Sequence, residues 1–260
     1  MGLILCDSKD ISNPLYINEL GINIYSHEEL CYVIVNFPYI SLDGLVNDDF
    51  LRFVTVELKL PVQSAGNDDI LFSVLHYSDY YSYEETERFR ETVNELRTMK
   101  DYIFHERKGD FLFSVHKYGK AIIYYKNALK ESSFSKADDS FKAEIWKKLG
   151  CCYANQFEFD IAFDSFRNSY ELNKDNNVLK YVYFLTKQQT NISSIQNYFG
   201  FLDDRVDQTW DNEYEQALSE SENCTELNEF KQITDTDSVR RHKALEKTIY
   251  KYKSEYRTML

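Results

Sequence analysis

Five histidines and five cysteines are the side chains best suited to hold a metal or act as nucleophiles in this chain. The histidines are His27, His76, His105, His116 and His242, and none stands at metal-ligand spacing from another histidine or a cysteine. Among Cys6, Cys31, Cys151, Cys152 and Cys224 there is no C-x2-C pair. Cys151 and Cys152 are neighbours; on a helix such side chains point about 100° apart, so they serve one compact site poorly and read as core or groove-wall residues. An odd cysteine set without a framework spacing argues for a reducing compartment. The glycine-rich phosphate cradles G-x-x-x-x-G-K and G-x-G-x-x-G do not occur, nor does the nucleophile elbow G-x-S-x-G. The acid pairs Asp48-Asp49, Asp138-Asp139 and Asp203-Asp204 each precede a helical stretch, where carboxylates complement the helix dipole. Capping is their expected use. The expectation is a chain that is not an enzyme, with no catalytic residues, no cofactor and no metal.

The elements that surround these residues are helices. Hydrophobic residues make up 43% and aromatics 16% of the 260 residues, too many for a disordered chain. Only 8 Gly and 3 Pro argue against a turn-rich β fold. The length suits one large domain or two small ones. A net charge of −13 disfavours nucleic-acid binding and favours solubility and a basic partner. No stretch is long enough for a membrane span. The start MGLILCDSKD is too short for a signal peptide; Leu5 is too bulky for a lipoprotein cleavage box, and Cys6 stands where myristoylation wants Ser or Thr. A cytoplasmic protein is expected, in which the acceptor patterns at Asn191 and Asn223 carry no glycan.

In chain order, LYINELGINIY alternates only in part, with a turn expected at Gly21-Ile22-Asn23. Ser26-His-Glu-Glu29 is a capping box, and Leu30, Val33, Ile34 and Phe37 follow on one helical face until Pro38. A second helix is expected from Asn47-Asp48-Asp49, burying Phe50, Leu51, Val54 and Leu58, although its β-branched content leaves a strand open. A third starts at Asp68-Asp69. Ser82-Tyr-Glu-Glu85 is another capping box, for a helix to about Lys100 with Phe89, Val93 and Leu96 inward.

The strongest pattern is AEIWKKLGCCYANQFEFDIAFDSFRNSYELNKDN, Ala143 to Asn176. Trp146, Leu149 and Tyr153 share one helical face, and Gly150 beside them lets a second helix come close where a Cβ would block it. Ala162 and Phe166 follow one turn apart on that second helix. The spacing W-x2-L-G-x2-Y, then A-x3-F, resembles the tetratricopeptide repeat. Ser169 replaces the usual Ala, and Lys174 the usual Pro, so the second helix is expected to run on or end less sharply. A degenerate copy lies at 102–135: Ala121, Tyr125 and Ala128 match Ala162, Phe166 and Ser169, while Gly109, His105 and Leu112 match Gly150, Trp146 and Tyr153. The two frames stand 41 residues apart, the extra residues lying in a polar loop from Ser132 to Ser140. NVLKYVYFLTKQQ reads as the first helix of a further unit whose second half, Ile192 to Asp204, lacks the small residues.

The resemblance implies an all-α fold: a right-handed superhelix of stacked helical hairpins, with extra helices N-terminal and capping helices C-terminal. Three regions are expected, an N-terminal helical region at 1–100 packed on the repeats, repeats at 101–202, and acidic then basic helices at 203–260. The acidic stretch 203–229 has ten carboxylates against Arg205 alone; 239–260 has seven Lys and Arg against Glu246 and Glu255, with a stripe of Leu245, Ile249, Tyr252, Tyr256 and Leu260. Either both helices pack on the repeats, or the basic one docks on the acidic one and is displaced by a partner.

The resemblance also implies a ligand groove along the first helix of each repeat. Its candidate residues are Ile103, Glu106, Asp110 and Phe113, then Glu144, Lys147, Cys151 and Ala154, then Val178, Tyr181, Leu185 and Gln188. Glu106 and Asp110 stand where carboxylate-clamping members carry Lys and Asn, so an apolar or basic peptide is the better match. The groove is open, or it is filled by the chain's own terminal helices. The functional reading is a non-catalytic adaptor or assembly factor, bacterial and cytosolic, that binds a protein or peptide segment. The alternatives are a peptide- or ligand-sensing regulator with a mobile C-terminal helix pair, and an enzyme with an unrecognised site in the first 100 residues.

Overall fold

The computed structural model describes residues 11–62, 66–134, 137–188, 208–225, 227–228, 231 and 238–259. Cys6 and the targeting patterns around it, the segment Ile192–Asp204, and Asp207, Glu226 and Glu229 lie outside the described residues. The fold is all-α apart from one small hairpin. It forms two compact units, 1–131 and 132–260. The boundary between them falls in the last turn of the helix Tyr118–Phe134.

In the first unit, β1 (Leu15–Ile17) pairs antiparallel with β2 (Ile22–Ile24), Leu15 opposite Ile24. The turn falls at 18–21, so Ile22 and Asn23 belong to the strand rather than to the turn. Helix α1 (His27–Asn36) opens at Ser26, whose hydroxyl accepts from the Glu29 N–H at 3.1 Å. The Glu29 carboxylate reaches one residue further back than a capping box requires and accepts from the Tyr25 N–H at 2.7 Å. A short turn, Pro38–Ile40, and a π-turn, Ser41–Leu45, follow. Helix α2 (Asp48–Arg52) is capped by the Asn47 side chain and runs into a second π-turn, Phe53–Glu57. The strand alternative is not formed here; Phe50, Phe53 and Val54 are buried while Leu51 and Leu58 are only half-buried.

Helices α3 (Asn67–His76) and α4 (Tyr83–Thr98) follow. The capping box of α4 is complete, Ser82 and Glu85 each accepting from the other's backbone N–H. Helices α5 (Asp101–Ser114) and α6 (Tyr118–Phe134) form a helical hairpin. The N-terminal segment packs on α5 through Phe37 against Phe111 and Tyr39 against Phe104, with ring centroids 5.5 and 5.8 Å apart.

The second unit holds α7 (Asp139–Asn155), α8 (Phe159–Asn173) and α9 (Asn176–Gln188), then α10 (Gln208–Glu222) and α11 (Ser238–Met259). Asp138 caps α7 by accepting from the Phe141 N–H at 2.7 Å. The two hairpins close in the same way. A Cβ on Gly109 would lie 2.5 Å from the Tyr125 ring, and one on Gly150 would lie 2.5 Å from the Phe166 ring. The glycines bring backbone against aromatic face, a contact any side chain would block. Ser169 does more than substitute for alanine: its buried hydroxyl donates to the Ala143 carbonyl at 2.7 Å and ties α8 to the start of α7. Nor does α8 run on where proline is missing. Lys174 takes a left-handed conformation at φ 55° and ends the helix, its N–H donating to Tyr170 O at 2.8 Å. Asp175 then accepts from the Asn177 N–H and starts α9.

Candidate functional site

The twelve expected groove residues fall on α5, α7 and α9. On α5, Ile103, Glu106, Asp110 and Phe113 are all half-buried. Asp110 accepts the Tyr125 hydroxyl at 2.8 Å, so it holds the hairpin closed. Glu106 pairs with Arg107 at 3.4 Å, and Phe113 packs edge-on against Tyr118 at 5.2 Å. In α9, Val178 and Leu185 are core residues, exposed by 0% and 8%, and a ligand does not reach them. The α9 helix turns them toward Phe163, Phe166 and Tyr170. The Gln188 side chain lies outside the described residues.

The second unit brings Glu144, Lys147, Cys151, Ala154 and Tyr181 together. Cys151 and Ala154 lean on the α8–α9 core cluster, half-buried. Tyr181 stacks on Phe166 at 5.3 Å yet stays 40% exposed. Lys147 donates to Glu144 at 2.7 Å. Burial alone would lower the Lys147 pKa, but the Glu144 hydrogen bond, with the charges of Glu144 and Asp175 and the nearby Tyr181, outweighs it and holds the ammonium above its ordinary range. Burial pushes the Cys151 thiol up, and Lys147 offsets this only in part. A neutral thiol is a poor nucleophile. This surface has the chemistry of a contact patch: one ring, one paired cation, small apolar walls.

Helix α10 covers a different face of α9. Trp210 packs on Tyr183 at 5.9 Å and Tyr214 on Phe184 at 5.9 Å. Lys187 bridges Asp211 at 2.8 Å, Tyr183 donates to Asp211, and Lys180 pairs with Glu213. The hydrogen bonds from Lys187 and Tyr183 hold the Asp211 carboxyl below the usual carboxylate range. Tyr181 is left open.

One cluster in the first unit escaped the sequence reading. Lys108 is 0% exposed and donates to the Asp43 carboxylate at 2.8 Å and the Asp43 carbonyl at 3.0 Å. Its ammonium lies 4.4 Å from the Tyr124 ring centroid, and the Tyr124 hydroxyl hydrogen-bonds Asp43. Burial alone would raise the Asp43 pKa, but Lys108, by hydrogen bond and by charge, reverses this and holds the carboxyl below its ordinary value. Gly44, at φ 99°, makes the bend that turns Asp43 inward. Beside it His105 Nε2 meets Glu131 Oε1 at 3.2 Å, while His105 Nδ1 and Glu131 Oε2 are buried without hydrogen-bond partners. The signal in the sequence was a lysine one turn from both Phe104 and Leu112, on an apolar face. With Nζ sealed from solvent, the cluster stitches a loop to α5.

Two clefts of about 570 and 630 Å³ lie in the first unit. The Asn13 side chain donates to Glu57 at 2.8 Å in the first. Arg90 lies over Phe72, 4.0 Å from its centroid, in the second. Neither includes a groove residue. Among the described residues, no three His, Cys, Asp or Glu side chains converge where they could hold a metal ion, and no helix is long and apolar enough to cross a membrane. No protein-family model matches the chain, nor does any curated protein or solved structure.

Proposed function

We propose that this chain is a non-catalytic interaction module of tetratricopeptide-repeat type, an adaptor or assembly factor that binds a peptide segment along α7 and α9. The observation that carries the reading is the shared closure of the two hairpins, Gly109 on Tyr125 and Gly150 on Phe166. Such a closure leaves the next face of the first helix to a partner; in the second unit that face of α7 carries Lys147, Cys151 and Ala154, and the open ring of Tyr181 stands beside it on α9. An apolar or basic peptide suits it: the ring and small walls take an apolar side chain, and Glu144 at the rim takes a cation. The cytoplasm suits the free thiols of Cys31, Cys151, Cys152 and Cys224.

The test is selection of peptides on the full chain followed by calorimetric titration. Lys147→Glu/Tyr181→Ala weakens a selected peptide by roughly 30-fold, the loss of one ring contact of about 2 kcal/mol. Equal affinity in wild type and variant places binding elsewhere and removes the proposal.

The clamp of α10 on α9 favours a second reading, a regulator in which ligand binding shifts the C-terminal helices. Hydrogen exchange over 208–259 that rises with saturating peptide supports it; unchanged protection argues against it.

A further inference from the structure

Two stretches of the second unit are left uncovered, and they carry opposite charge. Helix α10 is anchored by its first two turns, where Trp210, Asp211 and Tyr214 are half-buried. From Glu215 to Glu222 every residue is exposed; the run includes Leu218 and the carboxylates of Glu215, Glu220 and Glu222, with no basic residue. Helix α11 has 22 residues, about 33 Å of helix. Between Val239 and Met259 all but Ala244, Thr248 and Met259 are exposed. Leu245, Ile249, Tyr252 and Tyr256 form one stripe at 39%, 44%, 53% and 37% exposure. Seven Lys and Arg against two Glu surround it. With those charges set aside, the rest of the chain goes from a net −13 to −18. A lone amphipathic helix draws most of its stability from covering such a stripe.

We propose that α11 of one copy docks on the acidic end of α10 of a second copy, and that the exchange is reciprocal. The chain already shows the chemistry on α9, where Lys180 and Tyr183 hold Glu213 and Asp211 of α10. Lys253 and Tyr256 repeat that spacing on α11, and so do Lys247 and Tyr250. The apolar stripe covers Leu218, the cations meet Glu215, Glu220 and Glu222, and the tyrosine hydroxyls donate to the same carboxylates. A two-fold exchange covers the acidic end of α10 and part of the α11 stripe in both copies and closes on itself. An anionic bilayer would cover α11 alone, leave α10 exposed, and repel a body of −18.

Sedimentation velocity on the full chain tests this. The wild type is a dimer whose dissociation constant rises at least about tenfold toward 1 M salt, where screening shortens to ~3 Å. Lys247→Glu/Lys251→Glu/Lys253→Glu is a monomer, and so is Glu215→Lys/Glu220→Lys/Glu222→Lys, each with wild-type circular dichroism. Mixing the two variants restores a dimer, because each reversed helix then meets its complement. A wild type that stays monomeric at every concentration overturns the proposal, whether α11 then floats with phosphatidylserine vesicles or is protected within its own copy. A dimer that neither variant weakens overturns it as well.

Discussion

Lys108 and Asp43 show how a single buried charge fixes local structure. Removing one partner strands the other, whereas replacing both costs little. Asp43→Asn is expected to destabilise by about 2–3 kcal/mol, under the usual ~3–5 for a fully buried pair because the Asp43 side chain is 42% exposed. Lys108→Met/Asp43→Asn recovers most of that loss, as urea unfolding of the four cycle members reads directly. Additivity of the two single changes would contradict the account. Cys31 gives a second test at this scale. Burial pushes its thiol up to about 12, so a disulfide reagent at neutral pH labels it only as the protein unfolds. These residues were hard to read from the chain for one physical reason. Asp43 is 65 positions from Lys108, and nothing local marks an aspartate within a short π-turn as the partner of a distant lysine. The capping serines, by contrast, declare themselves within three positions, which is why Ser82 and Glu85 were legible.

At the scale of elements, the hairpin closure is the feature most open to test. Gly→Ala inside a helix normally gains about 1 kcal/mol. At Gly150 the added carbon meets Phe166 ring carbons at 2.5 Å, and overpacking of this kind costs roughly 1–3 kcal/mol. Gly150→Ala is therefore expected to destabilise by up to about 2 kcal/mol, and adding Phe166→Leu relieves part of it, with coupling of about 1 kcal/mol in thermal unfolding. The α10 clamp has a pH signature. A carboxyl held low in the fold contributes stability above its unfolded value of about 3.9, lost as pH falls through the lower folded value. Lys187, raised chiefly by its bond to Asp211, sets the alkaline limit above about 10.4. Trp210 fluorescence in a Trp146→Phe background should stay constant from about pH 5 to 9, and Asp211→Asn should loosen the clamp at neutral pH. Helices and hairpins were legible because Gly, aromatic and cap positions lie within one repeat. The β1–β2 pairing and the π-turns were not, since Asp43 and Gly44 leave helical geometry without proline to announce it.

The chain forms two compact units whose boundary falls in the last turn of α6. The loop expected from 132 to 140 is in part helix, since α6 runs to Phe134 and α7 starts at Asp139, and α5 joins the N-terminal segment through Phe37, Tyr39 and Asp43. The groove residues divide between the two units. Four lie in the first unit, where Asp110 is occupied by Tyr125; eight lie in the second, where Val178 and Leu185 belong to the core. Spacing transferred from the repeat pattern puts the twelve residues on α5, α7 and α9. It does not say which way α9 turns, because that depends on Phe163, Phe166 and Tyr170 packing beneath it. What remains is a patch of Glu144, Lys147, Cys151, Ala154 and Tyr181, and the account rests on its binding a peptide. The decisive measurement is the affinity of one selected peptide for the wild type and for Tyr181→Ala, with thermal unfolding read alongside because the Tyr181 ring also packs on Phe166. The account predicts a loss of about 2 kcal/mol, roughly 30-fold; an unchanged affinity would contradict it.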